Sequence, residues 1–252
     1  MAKVAPYLVQ DLQDEGLKIA MGVYPGVSYI NKFGHNPAVA SGGTEEIWDG
    51  SAAYVFPATA LMVKLSQTTD QVAMRGETVE IQGLDANYAA VTQDVVLANP
   101  TTTPVVLGTA LIRVNRMVLK SAVVADQPIR LHNSAENQDY SVILVPDQQT
   151  EQAIYTIPAG VTAYMTQYYA AHLPTTGQTF TSLNIKVLAR DNGNSYAPML
   201  KHELGLAPDG SSLHEFHPYP KFLEKTDIYL VANTVGAAAD VVGGFDLILV
   251  DN

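Results

Sequence analysis

His214 and His217, in the run HEFH, are the residues of this chain whose type could first be asked to do chemistry, as ligands for a metal ion. Their spacing works against it. In an extended strand, positions 214 and 217 point to opposite faces, and the two-histidine zinc helix sets its histidines four apart. Pro218 and Pro220 follow closely and favour extended backbone. The pair reads better as polar strand residues, with a metal or pH-responsive contact as the alternative. Asp209-Gly210-Ser211-Ser212 has turn composition and lacks the acidic pattern of a helix–loop–helix calcium site. Calcium held between subunits by scattered aspartates stays open.

Other catalytic signatures are missing. The chain has no Gly-x-Ser-x-Gly elbow, no phosphate loop ending in Gly-Lys-Ser/Thr and no dinucleotide-binding glycine pattern after a strand. Paired carboxylates for glycoside hydrolysis could be drawn from Asp85, Asp94, Asp209 or Glu215, but 25 acidic residues supply such pairs by chance. Tyr168 and Tyr169 fall on opposite faces of a strand, one toward a core and the other toward a possible sugar or protein partner. No catalytic, cofactor-binding or metal-binding set is assigned, and the chain reads as a non-enzyme.

The elements that would position such residues are strands. Thr78-Val79-Glu80-Ile81-Gln82 alternates polar and apolar, the period of a half-buried strand. Gly83 to Asn87 has turn chemistry, and two further runs end at Leu97 and Val114. Similar runs recur to Val250, giving roughly twelve strands with almost no helical period. The pattern predicts an all-β fold, an antiparallel β-sandwich of jelly-roll type. Residues 53–252 form that sandwich. A polar break at 133–139 is read as a loop, with a division into two sandwiches there as the alternative.

Residues 1–52 differ. A short helix over Asp11–Met21 is interrupted by Gly16, and eight Gly and Pro residues punctuate the stretch from Gly22 to Gly50. Tyr7, Tyr24, Tyr29, Phe33 and Trp48 are aromatic anchors there, of a kind that disordered tails lack. An extended N-terminal arm lying on another protein accounts for both features, and a loop packed on its own domain does so equally.

Composition bounds the partners. The 252 residues carry a net charge of −11 and only 14 Lys plus Arg, which disfavours nucleic acid and anionic membranes. There is no cysteine, hence no disulfide and no thiol chemistry. No apolar run reaches the roughly 18 residues of a membrane helix, and the N-terminus lacks the apolar core of a secretory signal. Synthesis in a cytoplasm is expected.

Several phrases stand in an order that resembles a group of tailed-bacteriophage virion proteins found in aquatic phages. They are KFGHNP (32–37), EEIWDG (45–50), VEIQGLD (79–85), RVNR (113–116), IYTIPAG with TAY (154–164), KHEL (201–204) and GFDLILV (244–250). The resemblance spans nearly the whole chain. It implies a β-rich particle component with no catalytic or cofactor residues. The group often carries Arg where this chain has His35, which speaks against a role for that histidine. The expected function is capsid decoration, a cement protein binding the major capsid protein or another virion protein, self-associated as a homotrimer. A tail, neck or fibre component is the runner-up, followed by a carbohydrate- or receptor-binding module.

Overall fold

The alternation at Thr78–Gln82 is a strand, and its inward residues Val79 and Ile81 are fully buried. The computed structural model describes residues 14–50, 53–173 and 181–252. Among these, one short α-helix, α1 (Glu15–Ala20), precedes seventeen strands, with a single 3-10 turn at Val72–Met74. The first two are β1 (Val27–Val39) and β2 (Thr44–Glu46). Then come β3 (Met62–Gln67), β4 (Thr78–Leu84), β5 (Ala90–Val96), β6 (Val105–Leu111), β7 (Arg113–Lys120), β8 (Ile129–His132) and β9 (Asp139–Ile143). The remainder are β10 (Ile154–Thr156), β11 (Val161–Leu173), β12 (Ser182–Asp191), β13 (Met199–Leu206), β14 (Ser211–Glu215), β15 (Lys221–Phe222), β16 (Thr226–Val235) and β17 (Ala239–Asp251). The all-β, antiparallel expectation holds.

The strands make two sandwiches. In the larger, the sheet β1-β17-β11-β14, with β15 beside β11, faces the sheet β10-β16-β12-β13, with β2 beside β16. Ile185, Leu230, Phe245 and Leu247 fill the space between. In the smaller, β6-β3-β8-β9 faces β5-β4-β7, enclosing Met62, Ile81, Leu111, Met117 and Ile129. The smaller sandwich is inserted into the larger, between β2 and β10. The chain therefore crosses the joint twice, outward after Trp48 and back before Ile154.

This corrects the sequence reading in two places and agrees with it in another. Residues 133–138 are the turn of the β8–β9 hairpin within the smaller sandwich, as the loop reading had it, so no division falls there. The stretch from Leu111 to Val114 is a change of sheet: β6 ends and β7 begins opposite β4. Gly83 permits that crossing, because a Cβ there would stand 2.5 Å from the Arg113 carbonyl oxygen.

The second correction concerns the arm. From Val27 onward, the segment expected to reach out is built into the sheets. β1 pairs with β17 from Val27↔Val250 to Val39↔Ala239, and β2 pairs with β16. Pro37 falls in the register shift between Asn36 and Val39, where no ladder hydrogen bond is demanded of it. Asp14 caps α1 through a 3.0 Å bond from the Leu17 amide, so the helix starts at Glu15 and runs through Gly16, where the sequence predicts an interruption.

Candidate functional site

The five aromatic anchors part company. Tyr7 lies outside the described residues. Tyr24 is exposed, its hydroxyl donating to Glu15 at 2.5 Å. Tyr29 and Phe33 line a cleft of ≈ 400 Å³ between the sandwiches, together with Lys32, Asn115, Arg116 and Gln149. Trp48 is only 3 % exposed and stacks edge-on to Tyr54 at 5.1 Å. It belongs to a cluster with Val142 of β9 and Tyr229 and Val231 of β16, so it packs inside this chain across the joint and offers no outward anchor.

Lys32 is buried in that cleft and donates to the Asn115 carbonyl. Burial, with Arg116 nearby, pushes its ammonium down to about 7. Asn115 in turn pairs with both backbone groups of Thr156, at 3.0 and 3.1 Å. The joint is thus held by polar bonds between β7 and β10 as well as by apolar packing.

Its centre is Asp227 of β16, fully buried. Arg113 of β7, 2 % exposed, donates to it twice, at 2.8 and 3.0 Å, and spends another N–H on the Pro57 carbonyl at 2.7 Å. Arg190 adds a bond of 2.7 Å, Asn192 one of 2.9 Å and the Thr156 hydroxyl one of 2.7 Å. The Phe56 ring lies against both guanidinium groups, 4.4 Å from Arg190. Burial alone would raise the Asp227 carboxyl, but Arg113, Asn192 and Thr156 together hold it below the ordinary range.

A second group of charges sits where the two crossings run side by side. The Asp49 amide donates to the Glu151 carbonyl at 3.1 Å, and the Glu151 amide donates to Asp49 Oδ2 at 3.0 Å. His35 of β1 places Nδ1 3.7 Å from Glu151 Oε2 and Nε2 2.8 Å from Asp240 Oδ1 on β17. β1 can pass this close because residue 34 is glycine: a Cβ there would stand 2.3 Å from both the Ala153 nitrogen and the Ile47 oxygen. Burial, with Glu151 and Asp147 near, pushes the Asp49 carboxyl up to about 8. Sequence reasoning passed over this group, since 14 and 102 positions separate its members and no spacing marks them.

The histidines that sequence reasoning did single out lie elsewhere. His214 stacks on His202 at 3.8 Å, and His202 bonds the Tyr168 hydroxyl at 2.6 Å. His217 is exposed, 3.9 Å from Glu215. Tyr168 is the core member of the tyrosine pair and is fully buried.

One flank of the larger sandwich is open. β13 pairs only with β12, and β14 only with β11, so both sheets end there in an unpaired strand. Met199, Leu200 and Leu213 are about half exposed on these edges. Tyr196, Met199, Lys201, Lys221 and Leu223 line one shallow pocket of ≈ 220 Å³ beside them. Unpaired N–H and C=O groups next to exposed apolar side chains make this flank adhesive.

No protein-family model matches the chain, and no curated protein matches it. Among solved structures, T=1 particles derived from infectious bursal virus are similar at 10% identity, over 89% of this chain and 73% of that one. The TM-score is 0.23, a superposition too loose to carry an argument about fold or role.

Proposed function

We propose that this protein is a non-catalytic structural component of a bacteriophage particle, a decoration protein that binds the outside of the head through protein–protein contacts. The observation that carries the reading is the open flank of the larger sandwich, two unpaired strands with Met199, Leu200 and Leu213 about half exposed. Such an edge binds a partner by adding its backbone to the sheet and covering the apolar side chains. The ordered phrases that resemble phage virion proteins supply the class of partner, a capsid protein or a further copy of this chain. Closed threefold association is the form that suits particle symmetry. The acidic, lysine-poor surface fits a protein that stays off the packaged nucleic acid.

The test has two arms. Densitometry of purified particles should show the protein at hundreds of copies, as occupancy of a whole head requires; a count of about a dozen or fewer assigns it to the tail or neck instead. Leu200→Lys together with Leu213→Lys should leave the purified protein folded while abolishing binding to heads. Undiminished decoration by that double variant removes the open flank from the proposal.

A further inference from the structure

His35, Asp49 and Glu151 each direct one donor atom to a common point, with the three atoms within 4.8 Å of one another. Their location is the neck: Asp49 lies on the outward crossing, Glu151 on the returning one, and His35 on the strand of the larger sandwich beneath both. Asp49 is 7 % exposed, and with Oδ2 engaged by the Glu151 amide, Oδ1 is left buried without a hydrogen-bond partner. A buried carboxylate oxygen facing no donor is costly unless a cation meets it.

We propose that these three side chains bind a divalent cation, Zn²⁺ by the chemistry of the set, which clamps the two crossings of the neck to each other and to β1. One imidazole nitrogen and two carboxylate oxygens are a borderline donor set. Calcium prefers six or more oxygens, whereas zinc accepts three protein ligands and a water. The imidazole is already oriented for the task. In the tautomer that donates Nε2–H to Asp240, Nδ1 has its lone pair on the Glu151 side, the carboxylate–histidine–metal arrangement of many zinc sites. Ligands at about 2.0–2.2 Å from a shared ion stand roughly 3–3.6 Å apart, so shifts below about 1 Å per atom complete the site. The inference is independent of the assembly role, since a clamp at the neck fixes how the two sandwiches sit whatever they bind.

The experiment is titration calorimetry of the full-length, chelator-treated protein with zinc chloride, alongside thermal melting with and without the ion. One Zn²⁺ per chain and a raised melting temperature are expected. Asp49→Asn and Glu151→Gln should abolish both. Asp240→Asn, which acts on the metal only through His35, should weaken binding about 10- to 100-fold. His214→Ala with His217→Ala should change neither readout, which separates the neck from the exposed histidines. Where a neck variant fails to fold, Co²⁺ bound to the wild-type protein decides by its absorption spectrum. Intense visible bands of a four-coordinate site with nitrogen ligation support the proposal, and the weak bands of the hydrated ion overturn it. No zinc binding, binding that survives Asp49→Asn and Glu151→Gln, or tighter binding of Ca²⁺ than of Zn²⁺ likewise overturns it.

Discussion

Two buried carboxylates hold the same joint and are treated in opposite ways. Asp227 faces two arginines, an amide and a hydroxyl, and its carboxyl is held below the ordinary range. Asp49 faces one backbone amide, keeps an unpartnered oxygen and is pushed up to about 8. Charge inside a protein is tolerated where countercharge and donors saturate it, and is otherwise suppressed or left for an incoming cation. The Asp227 side of the joint is thus complete in the chain itself. The Asp49 side is not, which makes it the place where orientation of the sandwiches can be set from outside.

The largest effect should come from breaking the completed side. Asp227→Ala strands Arg113 in the interior and should cost about 3–5 kcal/mol in urea denaturation, the range for removing one partner of a buried pair. Arg190→Ala removes a more exposed partner and should cost much less. The acid limb gives the sign. Because folding depresses the Asp227 carboxyl below its ordinary value of 3.8, its contribution is fully present above that pH and is lost as pH falls through the folded value. Asp227→Asn should flatten that limb, and an unchanged acid transition would mean the hub does not govern acid stability.

Next in size are the cores on either side. Ile81 and Ile185 are both fully buried, one in each sandwich, and replacing either by Ala should cost about 2–5 kcal/mol. With the joint intact, both variants should lower one shared unfolding transition. In an Asp227→Ala background, each should lower mainly its own sandwich, seen as two transitions by calorimetry. One transition in all cases would mean that the apolar bridge of Trp48, Val142 and Tyr229 couples the sandwiches without the hub.

On the unfinished side the expected sign reverses. Asp49→Asn keeps the shape, removes a carboxyl that must take up a proton to be buried at neutral pH, and should stabilise the metal-free protein by up to about 1 kcal/mol in thermal melts run with chelator. A loss of comparable size would show that the carboxylate is already satisfied and would erase the contrast with Asp227.

The strands were legible wherever pairing is local. Thr78–Gln82 alternates, and Asp85 closes its turn through bonds to the Asn87 and Ala89 amides, the chemistry read from Gly83–Asn87. β1 was not legible as a strand. Gly34 and Pro37 read as breakers, and the partner that makes the segment extended lies more than 200 positions away in β17, as Tyr29↔Ile248 illustrates. Trp48 was taken for an outward anchor because composition records an aromatic but not the Tyr54 and Val142 side chains that cover it. The insertion of one sandwich into the other was hidden for the same reason: it is defined by β2 and β16 closing over the ends of a segment more than 90 residues long. The neck cluster is the extreme case, three residues with no motif brought together by that closure. What spacing did flag, His214 and His217, marks the open flank instead.

That flank yields the smallest effect and a distinct pH signature. The His202 imidazole is held below its ordinary value of 6.5, first by burial and then by the stacked His214. A depressed folded value means that the contribution of neutral His202 to stability is present above 6.5 and fades as pH falls through the folded value. The contact concerned joins β13 to β14, the last strands of the two facing sheets, so mild acid should loosen the flank before it touches the buried Asp227 hub, whose carboxyl titrates lower. Amide hydrogen exchange should therefore accelerate in Met199–Leu206 and Ser211–Glu215 in mild acid while β7 and β16 stay protected. His214→Phe keeps a stacking ring without a second positive charge and should reduce that acceleration. If the edges exchange as fast in the variant as in the wild type, the histidine stack is not what makes the flank acid-sensitive. The order of events would then have to be traced to the carboxylates on β13 and β14, Glu203 and Glu215.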